Sequence, residues 1–486
     1  MKTNTLDFDA QALREKILDL AMRGKLVPQD PNDEPASVLL EKIKAEKEQL
    51  IKEKKIKKSK PLAPISDNEK PFDIPDSWEW VRLGDVAEKI TDGTHNPPPN
   101  SYEGKQVISA INIKKGKIDF SLSDRFVSEN QFLKEDKRTH IRKGDVLLTI
   151  VGSLGNAAVV DTDKLFTAQR SVAVIGSKIE SYFLYYVLTS MMFKTQIFAN
   201  AKGTTQRGIY LKKLTGLKLP LPPLLEQSRI AAKIAQLFAL LRKVEYSTQQ
   251  YAKLQTLLKS KVLDLAMRGK LVEQDPHDEP ASVLLEKIKV EKEQLVKEGK
   301  IKKSKQLPPI TDDEKPFDIP DSWEWVRLGD VLDVRDGTHD TPKYVSEGIA
   351  LVTAKNLKDG KIDFSNIKYI SEKDAQKINQ RSNVETDDIL FAMIGTIGNP
   401  VLITKRNNFA IKNVALLKHA KYVNMDFVCK YILASESFLL EYANGGNQKF
   451  ISLNKIKKLG FPLPPLVEQQ NIVSKINNIF TLLTSI

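Results

Sequence analysis

The sequence predicts an α+β protein in which two globular domains of mixed helix and strand are joined by two long antiparallel helices. Three observations predict this fold class. The chain of 486 residues is too long for one ordinary hydrophobic core. Most of its first half returns in its second half, and the segment that joins the halves carries apolar residues at helical spacing. The apolar fraction of 41% and the charged fraction of 28% are typical of a globular chain.

The internal repeat is very close over one long segment. Residues Leu18–Val86 return as Leu263–Val331, 245 positions later, with about 60 of the 69 residues identical. A shorter match, PLPPLLEQ against PLPPLVEQ, recurs 242 positions later. Between these matches, residues 87–200 and 332–442 have diverged, apart from short echoes such as DGTH and G-x-x-G-N. The chain therefore consists of two units of about 243 residues, each with a shared part and a variable part.

The two ends of the chain fall at nearly the same place in the repeat. Under the shift of 242, Ile486 corresponds to Val244, and under the shift of 245, Met1 corresponds to Tyr246. We therefore expect a cyclic arrangement with a pseudo-twofold axis, opened inside one copy of a shared segment.

The uncut copy of that segment, residues 226–268, is predicted to be one amphipathic helix. Its apolar residues recur every three or four positions, two prolines precede it and a glycine follows it. At 1.5 Å per residue this helix is roughly 65 Å long. The cut copy should form a matching rod from residues 466–486 and 10–23, and the two rods should pack antiparallel as a coiled-coil-like spacer. The alternative is two unrelated core helices.

The variable segments are predicted to mix strand and helix. DVLLTIV at 145–151 and DILFAMI at 388–394 have the composition of buried strands that end in glycine turns, and residues 182–199 and 426–442 have helical spacing. The expected division is 1–70 for the N-terminal part of the cut helix and a helical arm, 71–222 for the first globular domain, 223–315 for the central helix and a second arm, 316–464 for the second globular domain, and 465–486 for the C-terminal part of the cut helix. The lysine-rich stretches after the arms, 54–60 and 300–305, are either solvated linkers or contacts to phosphate or to a partner.

Charge and cysteine content restrict the partner and the compartment. Lysine and arginine total 75 against 62 acidic residues, which gives a net charge of +13. This surplus of positive charge favours a polyanionic partner. Nucleic acid is the most favoured class of partner, and a membrane surface is the second. A single cysteine, Cys429, excludes a disulfide framework and a cysteine-based zinc site. Without an apolar leader or a run of about 18 apolar residues, we expect a cytoplasmic protein with no membrane partner.

The sequence carries no complete catalytic motif. It lacks a G-x-x-x-x-G-K-[ST] phosphate loop and a Gly-x-Ser-x-Gly nucleophile, and its five histidines form no HxxxH or HxH pair. NPPP at Asn96 is similar to the Asn-Pro-Pro-aromatic motif of DNA amino-methyltransferases but has no aromatic residue. PD at Pro75 followed by EGK at Glu103 has the spacing of a metal-dependent nuclease motif, but the second repeat lacks the lysine. A proline-rich loop and a structural segment explain these two patterns better.

Taken as an ordered double set, the motifs resemble the specificity subunits of Type I restriction–modification systems. The resemblance covers essentially the whole chain and rests on PLPPLxEQ, LAMRGKLV with DEPAS, IPDSWEWVRLGDV, DGTH and G-x-x-G-N, each present twice. It implies a subunit with no chemistry of its own. Each variable domain would be a target recognition domain that reads one half of a bipartite DNA sequence, and the helices would set the gap between the halves.

The resemblance also implies the partners. Besides double-stranded DNA, the helical regions would dock two methyltransferase (modification) subunits, which use S-adenosylmethionine to methylate adenine. Restriction subunits, which use ATP and Mg²⁺, would complete the complex, and no cofactor is expected on this chain. Nearly identical scaffolds imply two equivalent docking faces, and divergent domains imply an asymmetric target. The alternatives are a protein-interaction adaptor, an autonomous DNA-binding regulator and, more remotely, a nuclease.

One pair of matched loops supplies the first candidates for DNA contact. GTTQR, just before the return to the central helix, aligns with GGNQK in the second repeat. Its glycines allow a close backbone approach, and Gln206 and Gln448 would bond adenine edges. Arg207 would read guanine, and Lys449 would contact guanine or phosphate.

Two further loops complete the candidate set. Arg170 aligns with Lys412 as a second basic pair, and the two DGTH sequences form the third loop. For DGTH the alternative is a turn in which the aspartate caps its own backbone, and for the basic residues it is a surface charge that contacts nothing. The candidate DNA-binding residues are Thr94, His95, Arg170, Thr205, Gln206, Arg207, Thr338, His339, Lys412, Asn447, Gln448 and Lys449.

Overall fold

The computed structural model describes residues 9–54, 56, 61–95, 98–203, 207–303, 305–395, 397–405, 408–445 and 449–485. Contacts divide the chain into two compact units, with the boundary between Thr248 and Gln249. Each unit contains one of the two variable segments. No helix in the described part of the chain is long and apolar enough to cross a membrane. The boundaries expected between the five sequence segments remain predictions.

Within the residues that the structure describes, the first unit holds the first seven α-helices and the first eleven strands. The helices are α1 (Ala10–Met22), α2 (Ala36–Lys52), α3 (Leu83–Val86), α4 (Glu129–Thr139), α5 (Ser181–Thr189), α6 (Met191–Asn200) and α7 (Leu211–Leu214). The strands are β1 (Glu79–Arg82), β2 (Ala87–Asp92), β3 (Lys105–Ile108), β4 (Ile113–Lys114), β5 (Lys117–Ile118), β6 (Phe126–Val127), β7 (Val146–Thr149), β8 (Ala157–Val159), β9 (Phe166–Ala168), β10 (Val172–Ser177) and β11 (Lys218–Leu221).

An antiparallel sheet of order β2-β10-β7-β8 forms the centre of the first variable domain. Its strands are apolar at successive positions because both faces are covered. On β10, Ala173 and Ile175 belong to the core that includes α5 and α6, whereas Val172 and Val174 belong to a second core on the other face. A smaller sheet of order β6-β3-β9 lies in the same domain, with β3 parallel to β9.

The second unit repeats this plan. After the shared helix α8 (Leu224–Met267), the helices are α9 (Ala281–Lys297), α10 (Leu328–Val331), α11 (Glu372–Ser382), α12 (Met425–Ala434), α13 (Glu436–Tyr442), α14 (Leu453–Lys457) and α15 (Leu466–Ser485). The strands are β12 (Glu324–Arg327), β13 (Val334–Asp336), β14 (Tyr344–Val345), β15 (Ile349–Thr353), β16 (Leu357–Lys358), β17 (Lys361–Ile362), β18 (Lys368–Ile370), β19 (Ile389–Ala392), β20 (Gly398–Leu402), β21 (Phe409–Lys412), β22 (Val414–Leu417) and β23 (Gly460–Leu463).

The central sheet of the second variable domain has the order β13-β22-β19-β20, and a second sheet has the order β14-β18-β15-β21. The two predicted buried strands are β7 and β19, and every residue of both is buried. The α+β fold class is therefore confirmed. The predicted helix 182–199 is in fact two helices, because Ser190 adopts an extended backbone and its hydroxyl caps α6. The predicted helix 426–442 is likewise divided at Ser435 into α12 and α13.

The long helix α8 contains 44 residues, which corresponds to roughly 66 Å. Within the first unit, α1 runs antiparallel to the first part of α8, where Arg14 forms a 2.5 Å ion pair with Glu245. Within the second unit, α15 runs antiparallel to the last part of α8, and the ammonium of Lys259 lies 5.7 Å from the ring centroid of Phe480. Both parts of the predicted cut helix are therefore helical and packed along α8.

A two-stranded ladder closes the base of each variable domain. Strand β1 pairs antiparallel with β11, so that the first and last strands of the first domain lie side by side. Strand β12 pairs with β23 in the same register, with Glu324 opposite Leu463 where Glu79 lies opposite Leu221. The repeated motifs WEWVR and PLPP contribute to these strands, which explains why both are present in each unit.

A buried glutamate joins each ladder to the long helices. Glu226, 1% exposed, accepts hydrogen bonds from the Trp78 indole at 2.9 Å and from the Gln29 amide at 2.6 Å. Glu468 accepts the equivalent bonds from Trp323 at 2.8 Å and Gln274 at 2.5 Å. Burial raises the pKa of both carboxyls. These glutamates are the E of the doubled PLPPLxEQ motif.

The glutamine of the same motif joins the variable domain to the scaffold. In the first unit, Gln227 accepts from the backbone N–H of Glu180 at 2.9 Å, just before α5, and donates to the Pro222 carbonyl at 2.9 Å. In the second unit, Gln469 accepts from the N–H of Asn424 at 2.8 Å, just before α12. The scaffold contacts are thus repeated in the two units even where the variable domains differ.

Candidate nucleic-acid interface

The candidate loops of the first unit meet at one end of its central sheet. In the antiparallel order β2-β10-β7-β8, the end of β2 at Asp92, the start of β10 at Val172, the end of β7 at Thr149 and the start of β8 at Ala157 share an edge. The DGTH turn, Arg170 and the G-x-x-G-N loop extend from these termini. Residues that are far apart in sequence are therefore neighbours on one surface.

Main-chain hydrogen bonds hold these loops in register. The N–H of Thr94 donates to the Ala168 carbonyl at 2.9 Å, and the N–H of Arg170 donates to the Thr94 carbonyl at 3.0 Å. On the neighbouring strand, the N–H of Gly152 donates to the Arg207 carbonyl at 3.1 Å. The DGTH turn is thus fixed beside Arg170, and Arg207 is fixed beside the G-x-x-G-N loop.

The loop that precedes the return to α8 is closed by a backbone pair. Lys202 and Gly208 exchange two hydrogen bonds of 2.9 Å. Thr205 and Gln206, which the sequence places at the tip of this loop, lie outside the described residues. Arg207 is exposed next to the closure.

The second unit brings its candidate loops together in the same way. The N–H of Thr338 donates to the Ile411 carbonyl at 3.0 Å, and the N–H of Asn413 donates to the Thr338 carbonyl at 3.1 Å. The N–H of Gly395 donates to the Lys449 carbonyl at 3.1 Å. The pairing found at Arg207 is therefore repeated at Lys449. The pairing found at Arg170 is repeated at Asn413 and not at Lys412, which lies opposite Thr338 as Gln169 lies opposite Thr94, so the expected alignment of Arg170 with Lys412 is wrong by one position.

The matching loop of the second unit is closed by Asn444 and Phe450, which exchange hydrogen bonds of 2.9 and 2.8 Å. Asn447 and Gln448 lie outside the described residues. Lys449 is exposed, and its ammonium donates to the Leu440 carbonyl at 2.9 Å.

The remaining candidates differ in their access to a ligand. Arg170 is exposed, whereas Lys412 is half-buried and its ammonium donates to the hydroxyl of Thr341. Thr94 is only 8% exposed, while Thr338 is half-buried. The first DGTH turn therefore offers less of its threonine to a ligand than the second does.

The glycine of each DGTH turn is required by a close approach of two backbones. A Cβ atom on Gly93 would lie 1.9 Å from the Ala168 carbonyl oxygen, and one on Gly337 would lie 2.2 Å from the Ile411 carbonyl oxygen. Any side chain there would separate the turn from the neighbouring strand. The repeated glycine is thus explained by packing, independently of DNA.

The aspartate and histidine of each turn form a cluster with an arginine that sequence reasoning missed. Asp92 accepts from the ring of His95 at 2.8 Å and from the guanidinium of Arg138 on α4. The sequence gives one signal for this arginine, which is its position. In each repeat the arginine lies the same number of residues before the buried strand.

A possible metal site in the second unit proves to be an ion-pair network. Glu385, Asp388 and His419 place ligand atoms close together. However, the ammonium of Lys418 lies 2.6 Å from the Glu385 carboxylate and 2.8 Å from the Asp388 carboxylate. The lysine supplies the positive charge that the buried Asp388 needs, so nothing in the network calls for a metal ion.

Comparison with known proteins identifies the family. The model for the Type I restriction modification DNA specificity domain matches residues 75–254 and again residues 320–486. The chain belongs to this family. The specificity subunits of the Type I restriction enzymes EcoAI and EcoEI from Escherichia coli are 34% and 32% identical to it, and both alignments cover 97% of this chain and 89% of the relative. The predicted family, the recognition function and the assignment as a non-catalytic subunit are confirmed by these relatives.

Solved structures support the fold. The HsdS subunit from Thermoanaerobacter tengcongensis is 20% identical over 85% of this chain and 91% of its own, with a TM-score of 0.52. A chain from a structure concerned with complex assembly and conformational transition of the Type I restriction–modification system is 21% identical over 85% of this chain and 92% of its own, with a TM-score of 0.56. None of the relatives supports the adaptor, the regulator or the nuclease.

Proposed function

We propose that this specificity subunit reads an asymmetric, gapped DNA sequence, one half with each variable domain. The observation that supports this most directly is the repetition of the candidate surface with different side chains. Both units have three matched loops at the same end of equivalent sheets, but Arg170 stands where the second unit has Asn413, and Arg207 stands where it has Lys449. Equivalent geometry with different hydrogen-bond donors suits two half-sites of different sequence.

The side chains of these loops have the chemistry of direct readout. An arginine guanidinium can bond both acceptors on the major-groove edge of guanine, and a glutamine amide can bond adenine. Arg170 and Arg207 would serve the first role in the first half-site, and Gln206 and Gln448 would serve the second role in either half. Lysine ammonium groups carry less directional information and would also contact phosphate.

The scaffold would present two equivalent docking faces to two methyltransferase subunits. The contacts around Glu226 and around Glu468 are the same, and so are the strand ladders beside them. The helix α8 would set the distance between the half-sites. S-adenosylmethionine, ATP and Mg²⁺ would be bound by the modification and restriction subunits, with no cofactor on this chain.

The decisive experiment is a genome-wide map of methylated adenine in the native host, before and after deletion of this gene. We expect an asymmetric gapped motif that disappears on deletion and returns on complementation. A motif with two identical halves would contradict the two-domain assignment. A motif that persists in the deletion strain would contradict the recognition function itself.

A pair of single substitutions tests which domain reads which half. Gln206→Ala removes one amide, so recognition should relax or disappear in one half-site only. Gln448→Ala is the matched variant and should affect only the other half. Methylation maps of the two strains measure this directly. Equal loss in both halves from either substitution would show that the domains do not read separate half-sites.

A further inference from the structure

Each variable domain holds an arginine and a histidine on a buried carboxylate at the candidate surface. In the first domain, the side chain of Asp92 is 10% exposed, whereas those of His95 and Arg138 are 55% and 46% exposed. A buried carboxylate must be paired, and these two side chains pair it from the solvent side. The aspartate thereby fixes the position of an exposed guanidinium.

The second domain contains the same cluster. Asp336, 4% exposed, accepts from the ring of His339 at 2.9 Å and from the guanidinium of Arg381, whose side chain is 62% exposed. The ring of His339 also lies 3.0 Å from the side-chain amide of Asn413. The geometry around the carboxylate is thus common to both domains.

The helices that carry the two arginines end in the same way. Arg138 and Arg381 are the penultimate residues of α4 and α11, and both helices contain 11 residues. The residues that follow them, Thr139 and Ser382, are buried and donate their hydroxyl groups to the carbonyl four positions earlier. The helix end is therefore anchored beneath an exposed arginine.

Each arginine keeps most of its donors available. A guanidinium has five N–H donors. Among the residues that the structure describes, Arg138 and Arg381 each make a single hydrogen bond, to their aspartate. The remaining donors lie at the same end of the sheet as the candidate base-reading loops.

The repetition of the cluster indicates what it contacts. The variable segments have diverged, and under the proposed function they read different base sequences. Groups kept in both domains therefore match what the two half-sites share, which is the sugar–phosphate backbone. Arginine is well suited to phosphate because its fork of donors fits the phosphate oxygens.

We propose that Arg138 and Arg381 each bind one DNA phosphate, at equivalent positions of the two half-sites, and that Asp92 with His95 and Asp336 with His339 orient them. This inference rests on the proposed function and assigns residues that the sequence motifs did not contain. The contact positions each domain on the duplex and carries no base preference.

The test uses the full chain assembled with its modification subunits and the gapped target given by the methylation map. Single phosphates are replaced one at a time by uncharged methylphosphonate, and binding is measured for the parent, Arg138→Gln and Arg381→Gln. In the parent, one position in each half-site should weaken binding roughly tenfold. Arg138→Gln should bind the normal and modified DNA equally at the position in its half, while staying sensitive in the other half. Arg381→Gln should show the reverse.

Arg142→Gln is the matched control. Arg142 is also an exposed arginine paired with an aspartate, since its guanidinium donates to Asp136 at 3.0 and 2.9 Å. It lies beside the opposite end of the strands, where β7 begins at Val146. Its substitution removes the same charge and should leave the response to each methylphosphonate unchanged. The salt dependence should also separate the variants: the slope of log affinity against log salt should fall by roughly 0.9 in Arg138→Gln and in Arg381→Gln, and should stay the same in Arg142→Gln.

Each variant is compared with itself on normal and on methylphosphonate DNA. A general loss of folding would weaken binding to both DNAs equally and would not produce the expected result. If Arg138→Gln stays sensitive at every phosphate of its half-site, Arg138 only braces α4 against β2 and the inference is wrong. If the parent complex shows no preference for the gapped site, the proposed function fails instead. The ratio of cognate to mismatched binding should be unchanged in Arg138→Gln, whereas a base-reading residue would alter it.

Discussion

At the scale of single residues, the buried glutamates of the doubled PLPPLxEQ motif link ionisation to stability. Burial places the pKa of Glu226 above its ordinary value of 4.5, despite the hydrogen bonds from Trp78 and Gln29. Between pH 4.5 and the raised pKa, the folded chain holds a proton that the unfolded chain has released. The stability contributed by this group is therefore present at low pH and is lost as the pH rises through that window.

Substitution of this group should change the pH profile of stability. In Glu226→Gln the side chain no longer ionises, so the free energy of unfolding relative to the parent should increase as the pH rises above 4.5. Denaturant titrations at several pH values measure this difference. Glu245→Gln gives the opposite sign in a lower pH window. Because Arg14 holds the pKa of Glu245 below its ordinary value, the free energy of unfolding of this variant relative to the parent should fall as the pH rises towards 4.5. If the free energies of unfolding of the parent and of Glu226→Gln changed with pH in parallel, ionisation of Glu226 would not be linked to stability.

The glycine of the first DGTH turn provides a second test. In Gly93→Ala the new methyl group meets the Ala168 carbonyl oxygen, so the turn must shift away from β9 and β10. We expect a loss of about 2 kcal/mol in unfolding free energy and impaired recognition of one half-site. Gly216→Ala is the control, since its Cβ would meet its nearest neighbour at an ordinary 3.5 Å. Equal losses of unfolding free energy in Gly93→Ala and Gly216→Ala would contradict the packing argument.

The sequence predicted the matched loops but not the arginines beside them. The repeats made Arg207 and Lys449 visible because the motifs around them align. The alignment of Arg170 with Lys412 was wrong by one position, because the turn after Ile411 is one residue shorter than the turn after Ala168. Arg138 lies 46 residues from Asp92, in a segment with little similarity to its counterpart around Arg381. Such a contact depends on how α4 packs on β2, which no local pattern records.

At the scale of elements, strands and the long helix were predictable, while helix breaks were not. β7 and β19 are short apolar runs that end in glycine turns, and both features are local. The break at Ser190 follows from one backbone turn with ψ near 152°, and apolar residues continue on both sides of it. Periodicity therefore predicted one helix where the structure has α5 and α6.

The helix α8 allows a direct test of the proposed spacer. An insertion of four residues within Gln236–Tyr251 would lengthen the helix by about 6 Å. At about 3.4 Å per base pair, the gap in the target should grow by one or two base pairs while both half-sites stay the same. The methylation map of the variant strain measures the gap. Gln250→Ala, a substitution without insertion, should leave it unchanged, and an unchanged gap in the insertion variant would refute the spacer role.

At the scale of the whole molecule, two units share a scaffold and differ in their variable domains. This division was predictable, because a repeat of about 60 identical residues in 69 is unmistakable in the sequence. The base sequences recognised were not predictable, since they depend on a few side chains at loop tips. Among those candidates, Thr205, Gln206, Asn447 and Gln448 remain predictions.

A chimaera tests the division directly. Replacement of residues 332–459 by residues 87–217, which include the loop with Gln206 and Arg207, would give a chain with two copies of the first variable domain between intact flanking strands. Because the flanking strands β12 and β23 pair in the same register as β1 and β11, the inserted segment meets the same neighbours. The methylated site should then have two identical halves, as read from the methylation map. A chimaera that folds but keeps the asymmetric site would show that specificity lies outside the variable segments.

The ladder of β1 with β11 has a consequence for how new specificities arise. Since the chain enters and leaves each variable domain through adjacent strands, the domain is a module whose two ends lie side by side. The segments before the two variable domains are long direct repeats in the protein sequence. If their coding sequences are equally similar, homologous recombination would exchange a module between genes without altering the scaffold. One crossover on each side would then change the DNA sequence that a cell marks as its own, in a single inherited event.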